Sequence, residues 1–171
     1  MKSLQPSSLW NSFYSLTQIP RPSGQKQQIS EFLANYGRSL GLETIVDEIG
    51  NVIIRKPASP GMENHPGVIL QGHMDMVPQK NSDIAFDFEK DPIQAYVEEN
   101  GEWVTAKGTT LGADNGIGVA TAMAILADKS VVHPPLEAFF TVDEETGMYG
   151  AFALKGGLLQ GKYLLNLDSE S

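Results

Sequence analysis

The stretch Val68-Ile69-Leu70-Gln71-Gly72-His73-Met74-Asp75 constrains this chain more than any other. A short apolar, β-branched run that ends at a glycine reads as a buried strand. Open α/β sheets place their chemistry where strands end and loops begin, and this strand ends in an imidazole and a carboxylate two residues apart. If the backbone stays extended past Gly72, His73 and Asp75 point to the same side. His73 can then ligate a metal through one ring nitrogen while Asp75 fixes the ring by accepting from the other. The same letters also fit a surface loop with a solvated His and Asp, because H-x-D is short and frequent by chance.

The remaining segments supply a context for that strand. Residues 6–17 place Leu9, Trp10, Phe13 and Leu16 at helical spacing, and the cluster Ile19-Pro20-Arg21-Pro22-Ser23-Gly24 breaks the helix. Ser23 is the expected N-cap of a second helix through about Leu40, with Gly41 as its C-cap residue. Thr44–Val46 and Val52–Arg55 pattern as a hairpin across Gly50-Asn51, and segments 94–97 and 103–106 pattern as another around Asn100-Gly101. A small-residue helix is expected over 115–128, a buried strand over 136–142, a short helix over 148–154 and a buried strand at Tyr163–Leu167. Strands alternating with helices, plus two hairpins, predict an α/β fold, a three-layer sandwich with a mixed sheet.

Charge and composition narrow the function. Twenty-one acidic against 12 basic residues give a net charge of -9, the opposite of a nucleic-acid footprint. With no cysteine, thiolate zinc sites and a cysteine nucleophile are excluded, so any metal must be held by oxygen and imidazole nitrogen. No apolar run approaches the roughly 18 residues needed to cross a bilayer, and the first residues contain no apolar leader. A soluble cytoplasmic protein is expected. The last strand pattern ends four residues before Ser171, which suggests that the 171 residues are part of a longer protein.

Four places put acids or a histidine at strand ends or a helix start: His73 with Asp75, Asp114, Asp143-Glu144-Glu145, and Asp168. One such group is an ordinary surface feature, whereas four at strand-to-loop junctions of one sheet edge point to cation binding. Asp114, in Gly112-Ala113-Asp114-Asn115-Gly116, also fits a helix N-cap. Those glycines are neither a dinucleotide fingerprint nor a P-loop. If the chain stays extended through Glu144 and Glu145, the two face opposite ways, so one could bind a metal while the other handles a proton. The alternative is a charged turn with Asp143 in solvent. His65 and His133 read as surface residues. None of the three arginines falls in a site motif.

Three blocks, 71–81 (QGHMDMVPQKN), 108–118 (GTTLGADNGIG) and 141–147 (TVDEETG), together with 19–23 (IPRPS), resemble the signature segments of the M20 metallopeptidases, in particular the aminoacyl-histidine dipeptidase branch. The resemblance implies a zinc-peptidase-like catalytic domain, with residues 1–171 as its N-terminal portion and the lid or dimerisation domain and the rest of the catalytic domain absent. It implies two divalent cations, zinc by preference and cobalt or manganese as substitutes. His73, Asp114, Glu145 and Asp168 would be ligands, with Asp114 bridging and followed by a cis peptide to Asn115. Asp75 would orient His73, and Glu144 would be the general base. The substrate would be a dipeptide and the whole protein a homodimer. The family carries a further histidine ligand near its C-terminus, for which these residues offer no counterpart, so the chain alone is expected to be nearly inactive and to bind metal more weakly. An M20 relative cleaving another small amide, and a non-catalytic acidic module binding a cation or partner, are the alternatives.

Overall fold

A computed structural model describes residues 1 and 3–168. In chain order its elements are α1 (Ser7–Thr17), α2 (Gln27–Ser39), β1 (Glu43–Val46), β2 (Val52–Lys56), β3 (Val68–His73), β4 (Ala95–Val97), β5 (Val104–Ala106), α3 (Ala113–Ala127), β6 (Leu136–Thr141), α4 (Tyr149–Phe152) and β7 (Tyr163–Asn166). Five strands form one sheet in the order β1-β2-β6-β3-β7. β1 and β2 pair antiparallel, as do β2 and β6, whereas β6, β3 and β7 run parallel. The fold is therefore α/β with a mixed sheet.

The alternation of strand side chains sorts the apolar residues onto two faces. Val52, Ile54, Leu70, Ala138 and Phe140 join the main core with Phe13 and Leu16 of α1, Ile29 and Leu33 of α2, and Val119 and Met123 of α3. Ile53, Ile69 and Phe139 point the other way, under Leu154, Leu158 and Leu159 from the turns that follow α4. The second face is thus covered thinly compared with the first. Gly118 and Ala122, one turn apart, give α3 a low-profile side toward the sheet, where a Cβ at Gly118 would meet the Leu167 carbonyl, while Gly116 faces Phe13 of α1.

Both hairpins form. The Asp47 carboxylate accepts the amides of Ile49, Gly50 and Asn51 and so closes the β1–β2 turn. β4 and β5 pair around a loop of residues 98–103 that contains Asn100-Gly101.

Three expectations need correction. α2 starts at Gln27, with Lys26 at its cap position and no side-chain cap, because the Ser23 hydroxyl is used elsewhere, as described below. β7 is not buried. Tyr163, Leu164 and Leu165 are 59, 51 and 52 % exposed, since among the described residues β7 pairs with β3 alone and none of the core clusters includes it. His133 is buried rather than on the surface. Its amide donates to the Ser59 hydroxyl, its carbonyl accepts from the Ser59 amide, and its Nδ1 lies 2.7 Å from the Pro134 carbonyl, so the Pro- and Gly-rich loop folds over it. His65 is exposed.

Candidate metal centre

Parallel pairing brings the C-terminal ends of β6, β3 and β7 to one sheet edge. His73 pairs with Thr141 and Gln71 with Asn166, and the ladder continues one bond further through Met74 N–H to the Thr141 carbonyl and Leu167 N–H to the Gln71 carbonyl, both 2.8 Å. This register sets His73 beside the turn of Asp143, Glu144 and Glu145 and beside Asp168. The start of α3 supplies the fourth element. Asp114 and Asn115 have non-helical backbone angles, the peptide bond between them is cis, and no side chain caps the helix. The Asp114 carboxylate turns to His73 instead of capping. Gly72 lets this segment approach β3, for a Cβ there would collide with the Asn115 side-chain oxygen.

His73 Nε2 lies 2.9 Å from Asp114 Oδ1, 3.5 Å from Asp168 Oδ2 and 3.8 Å from Glu144 Oε2. One ligand atom each from His73, Asp114 and Glu145 lie within 4.8 Å of one another. On the far side of the ring, Nδ1 is 3.2 Å from Asp75 Oδ1, a loose contact rather than a well-formed hydrogen bond. Asp75 is buried and is the hub beneath the site. Its carboxylate accepts the Ser23 hydroxyl at 2.7 Å, the Glu144 amide at 3.1 Å and the Glu145 amide at 3.3 Å.

Crowding of carboxylates around one imidazole sets the electrostatics. Burial by itself lowers the pKa of His73, but the close contact with the Asp75 carboxylate and its charge, then Asp114 and the Asp168 charge, outweigh it and raise the ring to about 9. Burial also favours the neutral form of Asp75, yet the adjacent His73 ring and the donors from Ser23 and Glu144 hold its carboxyl below the ordinary value. Burial first, and then the neighbouring carboxylates, push Glu144 and Glu145 up against the opposing pull of His73. The donor set of one imidazole and several carboxylates suits a divalent cation of the zinc, cobalt or manganese type. A pocket that raises a proton's affinity for its imidazole offers the same negative field to a metal ion.

The sequence profile of Peptidase family M20/M25/M40 matches residues 69–168. The chain belongs to that family. Among its relatives, the cytosol non-specific dipeptidase of Escherichia coli is 52% identical over 170 residues, which cover 99% of this chain and 35% of that protein. The crystal structure of an aminoacylhistidine dipeptidase from Vibrio alginolyticus is similar with a TM-score of 0.95 and 52% identity, over 99% of this chain and 34% of that one. An aminopeptidase PepT structure from Bacillus cereus is similar with a TM-score of 0.77 and 27% identity, over 96% of this chain and 43% of the other. The chain thus spans about a third of the length of the nearer two relatives.

In this M20 chain, His73, Asp75, Asp114, Glu144, Glu145 and Asp168 converge on the one sheet edge. The geometry around Glu144 and Glu145 differs from the extended chain assumed from sequence. β6 stops at Thr141, and Asp143 has a left-handed backbone with φ 51°. Both glutamate amides therefore point at Asp75. Asp143 is also not in solvent. Its carboxylate is buried, accepting the Gly24 amide at 2.7 Å and facing Lys26 Nζ at 3.6 Å.

Three residues next to the site escaped sequence reasoning. Ser23 holds Asp75, and Asn115 donates to the Leu167 carbonyl and to Asp168 Oδ1, both at 3.0 Å. Arg21 is buried directly behind the site, although no arginine was expected there. Burial lowers its pKa to about 10 against the raising influence of Asp75, Asp114 and Glu145, which leaves it charged at neutral pH. An arginine between two prolines carries no local pattern that would have exposed this role.

Proposed function

We propose that these residues form the greater part of a two-cation centre for hydrolysing dipeptides within a longer M20 protein. The observation that carries this reading is the convergence of Asp114, Glu144 and Asp168 on Nε2 of His73, with Glu145 in the same cluster, while Asp75 lies at Nδ1. His73, Asp114, Glu145 and Asp168 would hold the cations, with Asp114 shared because a carboxylate has two oxygens to offer two ions. Zinc is the proposed metal. When bound, the cations supply Lewis-acid polarisation of the scissile carbonyl and acidify the attacking water.

The chain's own residues do the rest. Asp75 orients His73 and, through the two glutamate amides, positions the turn that carries the acid and base. Glu144 takes the proton of the attacking water and delivers it to the departing amine. Its raised pKa suits that task, because a base works best with a pKa near the operating pH. The E. coli relative's description as a dipeptidase supports dipeptides as the substrate class, and its description as a cytosol enzyme supports a cytoplasmic location. No helix among the described residues is long and apolar enough to cross a membrane. A homodimeric whole protein belongs to the same reading and is tested by sedimentation.

Replacing Glu144 with Gln in the longer protein tests the mechanism. Dipeptide hydrolysis should fall by about 10²–10⁴-fold, the usual contribution of a general base, with metal content unchanged by elemental analysis. Retained activity, or loss of the metal together with the activity, contradicts the assigned role. A panel that includes tripeptides and N-acyl amino acids separates dipeptidase activity from cleavage of another small amide.

A further inference from the structure

Arg21 ties its own segment to two others through one side chain. Its Nη1 donates to the carbonyls of Met74 and Asp75, each at 3.1 Å, and its Nη2 donates to the carbonyl of Gly112 at 2.5 Å. The first two acceptors lie on the strand end that follows His73. The third lies two residues before Asp114. The backbone of Arg21 is itself anchored to that strand end, since its carbonyl accepts from Met76 N–H at 3.1 Å and Pro22 forms a bridge with Met76.

The guanidinium also accounts for two glycines that the site chemistry leaves without a role. A Cβ at Gly112 would collide with Arg21 Nη2, and one at Gly116 would lie 2.7 Å from the same atom. The glycines flanking Asp114 and Asn115 therefore make room for the guanidinium plane. Only a planar fork with several fixed donors can span acceptors on two separate loops in this way.

We propose that Arg21 is a positioning residue for the metal centre, whose guanidinium sets the distance between the His73–Asp75 strand end and the loop that carries Asp114. This rests on the cation-binding reading given above. The guanidinium holds backbone carbonyls of the segments that carry His73 and Asp114, so Arg21 acts through those two residues. Its charge alone would weaken cation binding, so a favourable effect has to come from geometry. Cation sites depend on the groups that orient their ligands, and losing such a group commonly weakens binding by about 10–100-fold.

The test uses two variants that both keep the positive charge. Arg21→Lys replaces the fork with a point charge, and Gly116→Ala crowds the fork while leaving Arg21 in place. Wild type and variants are titrated with Co²⁺ and followed by visible absorption, which reports coordination geometry as well as affinity, with far-UV circular dichroism to check the fold. The expected result is a folded variant that binds Co²⁺ about tenfold or more weaker with an altered absorption band. A folded variant with wild-type affinity and spectrum overturns the role of Arg21. Loss of the fold in both variants overturns it too, because the residue then serves the fold and not the site. If only one variant folds, its titration decides. Failure of the wild-type chain to bind Co²⁺ at all sinks the cation-binding reading itself and is distinct from these outcomes.

Discussion

Asp75→Asn isolates the hub beneath the site while keeping its shape. In the wild type the carboxylate accepts Ser23 Oγ, Glu144 N and Glu145 N and faces His73 Nδ1. In the variant the remaining oxygen can serve Glu144, but the new NH₂ faces the Glu145 amide, donor against donor. The Ser23 hydroxyl can rotate to accept, whereas a backbone N–H cannot. The loss is then one charge-assisted hydrogen bond, worth about 1.5–3 kcal/mol, together with one buried amide lacking an acceptor, about 1–3 kcal/mol. A destabilisation of about 3–5 kcal/mol is expected at pH 7, measured as the shift in the urea midpoint at constant m. The effect also has a pH signature. Because the folded state holds the Asp75 carboxyl below its ordinary value of 3.8, its stabilisation is fully present above that value and lost as the pH falls through the lower folded one. The gap between wild type and variant should therefore close in acid. A variant within about 1 kcal/mol of wild type at pH 7, well under a single charged hydrogen bond, or a gap that persists at low pH, refutes the reasoning.

Two further outcomes follow from the same geometry. The His73 pKa, raised from 6.5 to about 9, means that protonation of the ring stabilises the metal-free fold fully below pH 6.5 and ceases to do so as the pH climbs through 9. Cation binding at neutral pH must expel that proton, so calorimetry in buffers of different ionisation enthalpy should show about one proton released per chain, and no release would rule out His73 as a ligand. Gly72→Ala drives a methyl group into the Asn115 side-chain oxygen and loosens the hold of Asn115 on Leu167 and Asp168. It should cost about 1–3 kcal/mol by urea unfolding, and unchanged stability would mean that α3 does not press on β3 as described.

Local pattern was enough for much of this protein. Strand alternation in Val52-Ile53-Ile54 and Ala138-Phe139-Phe140 fixes which side chains face which layer, and the turn residues at 50–51 and 100–101 announce the hairpins, because these properties depend only on neighbours in the chain. The six candidate site residues stood out for the same reason, since each stands at the end of an apolar run or the start of a helix. Exposure of β7 and burial of His133 were not legible, because burial depends on which distant segment lies on top. The opposite facing of Glu144 and Glu145 failed as an argument because the strand stops at Thr141 and Asp143 takes a left-handed turn. Arg21, Ser23 and Asn115 stand in the blocks that carry the family resemblance, but what each of them holds was not legible from the pattern. Their partners lie 52 to 91 residues away, brought into hydrogen-bond reach by the Pro22–Met76 bridge for Arg21 and Ser23 and by the pairing of β7 with β3 for Asn115.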